Sequence, residues 1–80
     1  EQRKPSPYPL LDIMNRLSLE PSDILVVDDL KPGYDMARAA GCDFAAAGWA
    51  YNIPEIEAFM RANCDYYLPT VESLSDLLFK

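Results

Sequence analysis

The apolar run Ile24-Leu25-Val26-Val27, followed at once by Asp28-Asp29, constrains this chain more than any other segment. Four consecutive aliphatic residues are typical of a strand that is apolar on both faces, and such strands usually lie buried in the middle of a parallel sheet. In open parallel sheets, ligand sites form just beyond the carboxyl ends of the strands. The run therefore predicts an α/β fold in which an acidic pair lies at the functional edge of the sheet.

Helical and strand patterns alternate along the rest of the chain. Leu10, Met14 and Leu17 have the spacing of an amphipathic helix, Gly41 stands where a helix ends, and Thr70 can cap the last helix. The alternating order is typical of a parallel sheet covered by helices on both faces. We predict helices over residues 8–19, 34–40, 54–63 and after Thr70, strands over 24–27, 44–47 and 65–68, a turn over 31–33 and a loop over 48–53.

Composition excludes several classes of function. Thirteen acidic residues outnumber seven basic ones, which argues against a nucleic-acid or anionic-membrane surface, and the chain has no histidine for a Ser-His, Cys-His or His-metal site. No apolar run approaches the length that a bilayer crossing needs. Cys42 and Cys64 form no CxxC pair, which favours free thiols in a reducing compartment. We expect residues 1–80 to form one domain of a cytoplasmic protein.

The acidic pair Asp28-Asp29 allows two interpretations. Adjacent carboxylates after an apolar strand repel each other and lose hydration, so a cation or a shell of hydrogen-bond donors must compensate them. Hard oxygen ligands at such a position suit Mg²⁺ better than a transition metal. Alternatively, Asp29 starts the following turn while Asp28 accepts hydrogen bonds from backbone amides. These residues alone leave both interpretations open.

Lys4 is the second candidate, because it lies in the Pro-rich segment Lys4-Pro5-Ser6-Pro7. Prolines hold the backbone extended, so the ammonium group of Lys4 could be directed at a phosphate or a carboxylate. A solvated lysine in a Pro-rich terminus is the alternative interpretation.

These features together resemble a known family. K-P-S-P at Lys4, an amphipathic helix, and then I-L-V-V-D-D-x-x-x-G and A-x-A-A-G resemble the C-terminal half of haloacid dehalogenase superfamily hydrolases. Within that superfamily, the resemblance is to the subgroup of phosphoglycolate phosphatase-like and β-phosphoglucomutase-like enzymes. It is densest over residues 3–41 and looser beyond.

The resemblance implies a role for each candidate residue. Lys4 matches the family's third motif and would stabilise charge on the nucleophile and the phosphoryl oxygens. Asp28 and Asp29 match the fourth motif and would hold Mg²⁺. Many family members carry another acid four residues after the second Asp, where this chain has Gly33. The pattern acid-acid-x-x-x-Gly occurs as a variant of the motif.

One part of the family pattern is missing. The family's nucleophile lies in a D-x-D-x-[TV] motif on the first core strand, and a helical cap usually selects the substrate; no D-x-D occurs in these 80 residues. The resemblance therefore implies the C-terminal piece of a longer enzyme that acts on a small phosphorylated metabolite and is inactive without the rest. The strand over residues 24–27 would then be an exposed edge, which predicts either pairing with the missing N-terminal half or self-association.

Two other classes of function remain as alternatives. I-L-V-V-D-D also resembles the first strand of a response-regulator receiver, although no phospho-accepting Asp follows the strand at 65–68. The second alternative is a non-catalytic interaction domain that keeps the hydrolase fold. It predicts no dependence on Mg²⁺.

Overall fold

A computed structural model describes residues 6–50 and 53–79 of the chain. In these two ranges, helices and parallel strands alternate as the sequence predicts, with short 3₁₀ turns at Pro21–Asp23 and Gly48–Ala50. The elements follow in the order α1 (Tyr8–Leu17), β1 (Leu25–Asp28), α2 (Lys31–Ala40), β2 (Asp43–Ala47), α3 (Pro54–Asn63), β3 (Tyr66–Leu68) and α4 (Val71–Phe79).

Helix α2 begins three residues earlier than the sequence predicts. The predicted turn at 31–33 is the first turn of this helix, and Pro32 lies in it. Proline is tolerated there because the first helical N–H groups have no partner within the helix. At the other end the prediction is confirmed: Gly41 ends α2 in the left-handed region with a φ of 78°.

Several other helix and strand boundaries differ from the prediction by one or two residues. Helix α1 ends at Leu17 because Ser18 takes a left-handed conformation, with a φ of 57°, and its N–H bonds to the carbonyl oxygen of Met14. Strand β1 begins at Leu25 because Ile24 still closes the preceding 3₁₀ turn. The prediction for α3 is confirmed at both ends. Thr70 precedes α4 and accepts a hydrogen bond from Ser73 N at Oγ1, 3.1 Å away.

The three strands form one parallel sheet in the order β1-β2-β3. Val26 pairs in register with Phe44, and Ala46 pairs with Tyr67. The chain therefore adds its strands one after another across the sheet, and β1 lies at an edge of the sheet that the described residues form.

The main core lies on one face of the sheet. Val26, Phe44 and Ala46 point to this face, and helices α1, α2 and α3 each contribute side chains to it. Tyr34 of α2 connects β2 with α3, since its ring packs edge to face against those of Phe44 and Phe59 at centroid distances of 5.5 and 5.1 Å. The buried cluster consists of Met14, Val26, Met36, Ala37, Ala40, Cys42, Phe44, Ala46 and Met60.

The opposite face of the sheet is covered only in part. Val27, Ala45 and Tyr66 stand in register across this face, and α4 contacts β3. Val27 is 39% exposed and Tyr66 is 41% exposed, whereas Ala45 between them is fully buried. The apolar run is therefore not a central strand in this chain; it is the exposed edge strand that the sequence predicts when the neighbouring strand is absent. The reason is that only β2 pairs with β1 among the described residues, which leaves Val27 at an open edge.

The helices of the two described ranges are all too short or too polar to cross a membrane.

Candidate functional site

The acidic pair lies at the carboxyl end of β1, where the fold predicts a site. Asp28 is the last residue of the strand, Asp29 follows it, and α2 begins two residues later. Both acidic residues are partly buried. The short connection between the strand and the helix therefore fixes the backbone positions of Asp28 and Asp29.

Asp28 has a well-defined place beside α2. Its Oδ1 accepts a hydrogen bond from Asp29 N over 2.7 Å. Its carboxylate also lies against Gly33, so close that a Cβ on Gly33 would overlap Asp28 Oδ2 and Cγ. Negative charge beside the first turn of a helix is favoured by the helix dipole, which offsets part of the repulsion between the two acids.

The two carboxylates are of the ligand type that Mg²⁺ prefers. No group of three or more potential ligands occurs in the described ranges, so Asp28 and Asp29 would be only this chain's share of such a site. That share suits Mg²⁺, which usually keeps several waters and takes one or two carboxylates together with substrate phosphate.

Lys4 lies outside the described residues, so its position relative to the acidic pair stays a prediction. The described chain begins at Ser6, and α1 starts two residues later at Tyr8. The sequence interpretation of Lys4 as the phosphate-contacting cation is taken up below as a proposal.

An apolar cavity beside the site is a feature that the sequence did not reveal. It has a volume of about 390 Å³ and lies between the amino-terminal turns of α2 and α3. Leu30, Phe59 and Met60 line it, and the ammonium group of Lys31 lies 5.5 Å from the centre of the Phe59 ring. The apolar spacing within α3 identifies Phe59 and Met60 as core residues, but only the packing of the two helices shows that a cavity remains between them.

The two cysteines are free thiols, as the sequence predicts. Cys42 is buried in the core, and burial raises the pKa of its thiol. Burial likewise raises the pKa of the Cys64 thiol. Both thiols therefore remain protonated at neutral pH and are poor nucleophiles.

Comparisons with known proteins show which sequences this chain is similar to. Residues 1–47 match the family model described as haloacid dehalogenase-like hydrolase. The phosphoglycolate phosphatase of Salmonella typhi is 33% identical over 78 residues, which cover 98% of this chain and 29% of that protein. The corresponding enzyme of Nitrosospira multiformis is 32% identical over 79 residues, which cover 99% of this chain and 34% of that protein.

A third relative has a similar identity and coverage. The phosphoglycolate phosphatase of Escherichia coli K12 is 31% identical over 78 residues, again 98% of this chain and 29% of the relative. The chain thus spans about a third or less of the length of these relatives. No solved structure matches it significantly. Because the family match extends over more than half of its residues, the chain belongs to the haloacid dehalogenase-like hydrolases.

Proposed function

We propose that this chain is the C-terminal segment of a Mg²⁺-dependent phosphatase that hydrolyses a small phosphate monoester. The reaction would pass through an aspartyl-phosphate whose nucleophile lies outside these 80 residues. Residues 1–80 would form a single partial hydrolase core, and a cytoplasmic location stays a prediction of the sequence. The relatives named above support this proposal, since each carries the name phosphoglycolate phosphatase.

The observation that carries the proposal is the acidic pair at the carboxyl end of β1. Asp28 and Asp29 are partly buried, adjacent to each other, and held by a two-residue connection to α2. Two adjacent carboxylates repel each other, and a bound cation would offset that repulsion. A metal-binding role accounts for both the residue types and their place at the edge of the sheet.

Each candidate residue then has a distinct task. Asp28 and Asp29 would hold Mg²⁺, one directly and the other directly or through water. When bound, the ion supplies positive charge that neutralises the phosphate. Lys4 would balance charge on the nucleophile and on the phosphoryl oxygens.

The partner of this chain would be the segment that carries the nucleophile. Strand β1 pairs with β2 alone among the described strands, and Val27 on its outer face is 39% exposed. An apolar edge strand of this kind favours pairing with another strand. The missing N-terminal half would provide that strand, and self-association of the chain would be the outcome in its absence.

The test is complementation. We define the assembled enzyme as this chain co-expressed with a segment that carries a D-x-D-x-[TV] motif. It should release phosphate from a small monoester when Mg²⁺ is added, and the chain alone should release none. Lys4→Ala and Asp29→Ala should each lower the rate by roughly 100-fold or more, because Lys4 would supply positive charge to the transition state and Asp29 would hold the Mg²⁺ that does the same.

Two matched variants control for changes in charge. Asp35→Ala removes a carboxylate from α2 that pairs with Lys31 over 3.1 Å, and Arg16→Ala removes an exposed cation from α1. Both should leave the rate within about twofold of the unmodified protein, as expected for surface charges away from the reacting groups. Full activity in Lys4→Ala and Asp29→Ala would contradict the assigned roles.

The non-catalytic interaction domain is the remaining alternative. An assembled protein that binds no Mg²⁺ and releases no phosphate would favour it over the phosphatase. Membership in the hydrolase family leaves the receiver-like alternative without support.

A further inference from the structure

The apolar cavity between α2 and α3 lies at the same edge of the sheet as the acidic pair. Helix α2 follows β1 and α3 follows β2, and because the two strands are parallel, both helices begin at their carboxyl ends. The cavity, of about 390 Å³, lies between the first turns of the two helices. Leu30 lines it and directly follows Asp29, so the wall of the cavity continues from the acidic pair with no residue between them.

Apolar residues stand where these two helices would ordinarily have polar caps. Leu30 is the N-cap residue of α2, and Ile53 is the N-cap residue of α3. Ser, Thr, Asp and Asn are strongly preferred at such positions, because their side chains bond the free N–H groups of the first turn. Leu30 is 47% exposed and Ile53 is 48% exposed, so burial within the described chain does not account for them. Both side chains therefore remain available for contact with a ligand.

The cavity offers apolar contacts but no free charged partner in its interior. Met60 in its wall is fully buried and Phe59 is half-buried. Lys31 already has partners, since its ammonium group lies 3.1 Å from Asp35 Oδ2 and 5.5 Å from the centre of the Phe59 ring. Glu55 is exposed, so water screens its charge. A charged group that entered the cavity would lose its hydration without gaining a new partner, which favours an uncharged occupant.

We propose that this cavity binds the leaving group of the substrate and that the leaving group is an uncharged, apolar body. The phosphate would lie at Asp28 and Asp29, and the apolar body would extend past Leu30 into the cavity. This inference rests on the proposed function, since it names the substrate class of the same site. The volume of the cavity is within the range of ordinary small-ligand sites, which are lined mainly by apolar side chains.

The first experiment varies the leaving group. Phosphate release from ethyl phosphate and from hexyl phosphate is measured with the assembled enzyme and Mg²⁺, and kcat/KM is determined for each ester. Each methylene that enters the cavity should raise kcat/KM by about fourfold, so hexyl phosphate should exceed ethyl phosphate by roughly 10-fold or more. Hexyl phosphate that carries a carboxylate or an ammonium group at its far end should lose most of this advantage, because the charged end would be dehydrated in the cavity.

The second experiment distinguishes the cavity from the part of the enzyme outside these 80 residues. Ile56 lines the cavity, and Ile56→Phe should reduce its volume and lower the ratio of hexyl to ethyl kcat/KM to about twofold or less. Leu30→Ala removes apolar contact from an exposed side chain, and it should lower the ratio severalfold without disturbing the core. Ala58→Phe is the matched control, because Ala58 is exposed on α3 and lies outside the lining of the cavity; it should keep the ratio.

The outcomes separate this inference from the proposed function. If ethyl and hexyl phosphate are hydrolysed with equal efficiency, or if an ester with a charged end is preferred, this inference is wrong and the phosphatase proposal stands. If the preference for hexyl phosphate survives in both Ile56→Phe and Leu30→Ala, it belongs to another part of the enzyme, and this inference is again wrong. Release of phosphate from no ester would overturn the proposed function and this inference with it. A preference that both variants lose and Ala58→Phe keeps supports both proposals.

Discussion

The carboxylates at the two ends of the parallel sheet have different neighbours. At the amino end, Asp65 precedes β3, and its Oδ2 accepts hydrogen bonds from Arg38 Nη1 and Phe44 N, each over 2.8 Å. At the carboxyl end, Asp28 and Asp29 bring two carboxylates together at the end of one strand. The amino end thus pairs a carboxylate with a guanidinium group, whereas two carboxylates stand side by side at the carboxyl end of β1.

The cluster at the amino end joins three elements that are distant in sequence. Arg38 lies in α2 and donates to Asp65 and to the carbonyl oxygens of Asn63 and Cys42. The hydrogen bond from Arg38, together with that from Phe44 N, holds the pKa of Asp65 below its ordinary value. The Asp65 carboxylate in turn raises the pKa of Arg38. These contacts stabilise the fold and take part in no proposed chemistry.

The difference separates residues that support the fold from residues that the proposed reaction would use. A charge that the chain itself satisfies adds to stability. Functional edges often trade stability for activity. Three predictions test this division, from the largest expected effect to the smallest.

Removing Asp65 should produce the largest loss of stability. Asp65→Ala should lower the free energy of unfolding by about 2 kcal/mol, because two hydrogen bonds are lost and Phe44 N is left without this acceptor. Chemical denaturation measures the change. Asp12→Ala is the control, since Asp12 pairs with Arg16 on the exposed surface of α1 and should cost under about 0.5 kcal/mol. Equal losses in the two variants would contradict the division.

The contribution of Asp65 should depend on pH. Because its pKa is lower in the folded state than the ordinary value of 3.8, the stability that it adds is fully present above that value. It is lost as the pH falls through the lower folded pKa. The difference in unfolding free energy between the unmodified chain and Asp65→Asn should therefore narrow as the pH falls below the ordinary value of 3.8. A constant difference over this range would show that the carboxylate charge adds no stability.

Removing Asp29 should have the smallest effect on the fold. Without Mg²⁺, Asp29→Asn should change the free energy of unfolding by no more than about 0.5 kcal/mol, and repulsion from Asp28 favours a small gain. The stabilisation of the assembled enzyme by added Mg²⁺ should disappear in the same variant. Thermal melting with and without Mg²⁺ measures both effects. A loss as large as that of Asp65→Ala would mean that the carboxyl end also supports the fold.

Sequence patterns predicted the element types well because those patterns are local. Both ends of helix α3 were predicted correctly, since Pro54 marks its start and the apolar spacing continues to its last turn. The predicted start of α2 was wrong because Lys31-Pro32-Gly33 has the composition of a turn, whereas the first positions of a helix tolerate proline. A prediction from composition alone therefore misplaces a helix that begins with turn residues.

Contacts between distant elements could not be predicted in the same way. Arg38 and Asp65 are 27 residues apart, and nothing in either local pattern indicates that they meet. The edge position of β1 was predicted from the missing family motif and not from the strand's own residues, because strand pairing is a property of the whole sheet. The acidic pair was predictable, because parallel strands place their carboxyl ends at one edge.

The sequence by itself determined the alternating α/β order, the hydrolase family and the acidic pair after the first strand, since each depends on neighbouring residues or on short motifs. Only the tertiary structure decided that Arg38 meets Asp65 and that Gly33 leaves room for the Asp28 carboxylate. The physical reason is the separation along the sequence of the residues that interact. Periodicity and turn chemistry act over a few residues, whereas the approach of a helix to a strand is set by how all the elements pack together.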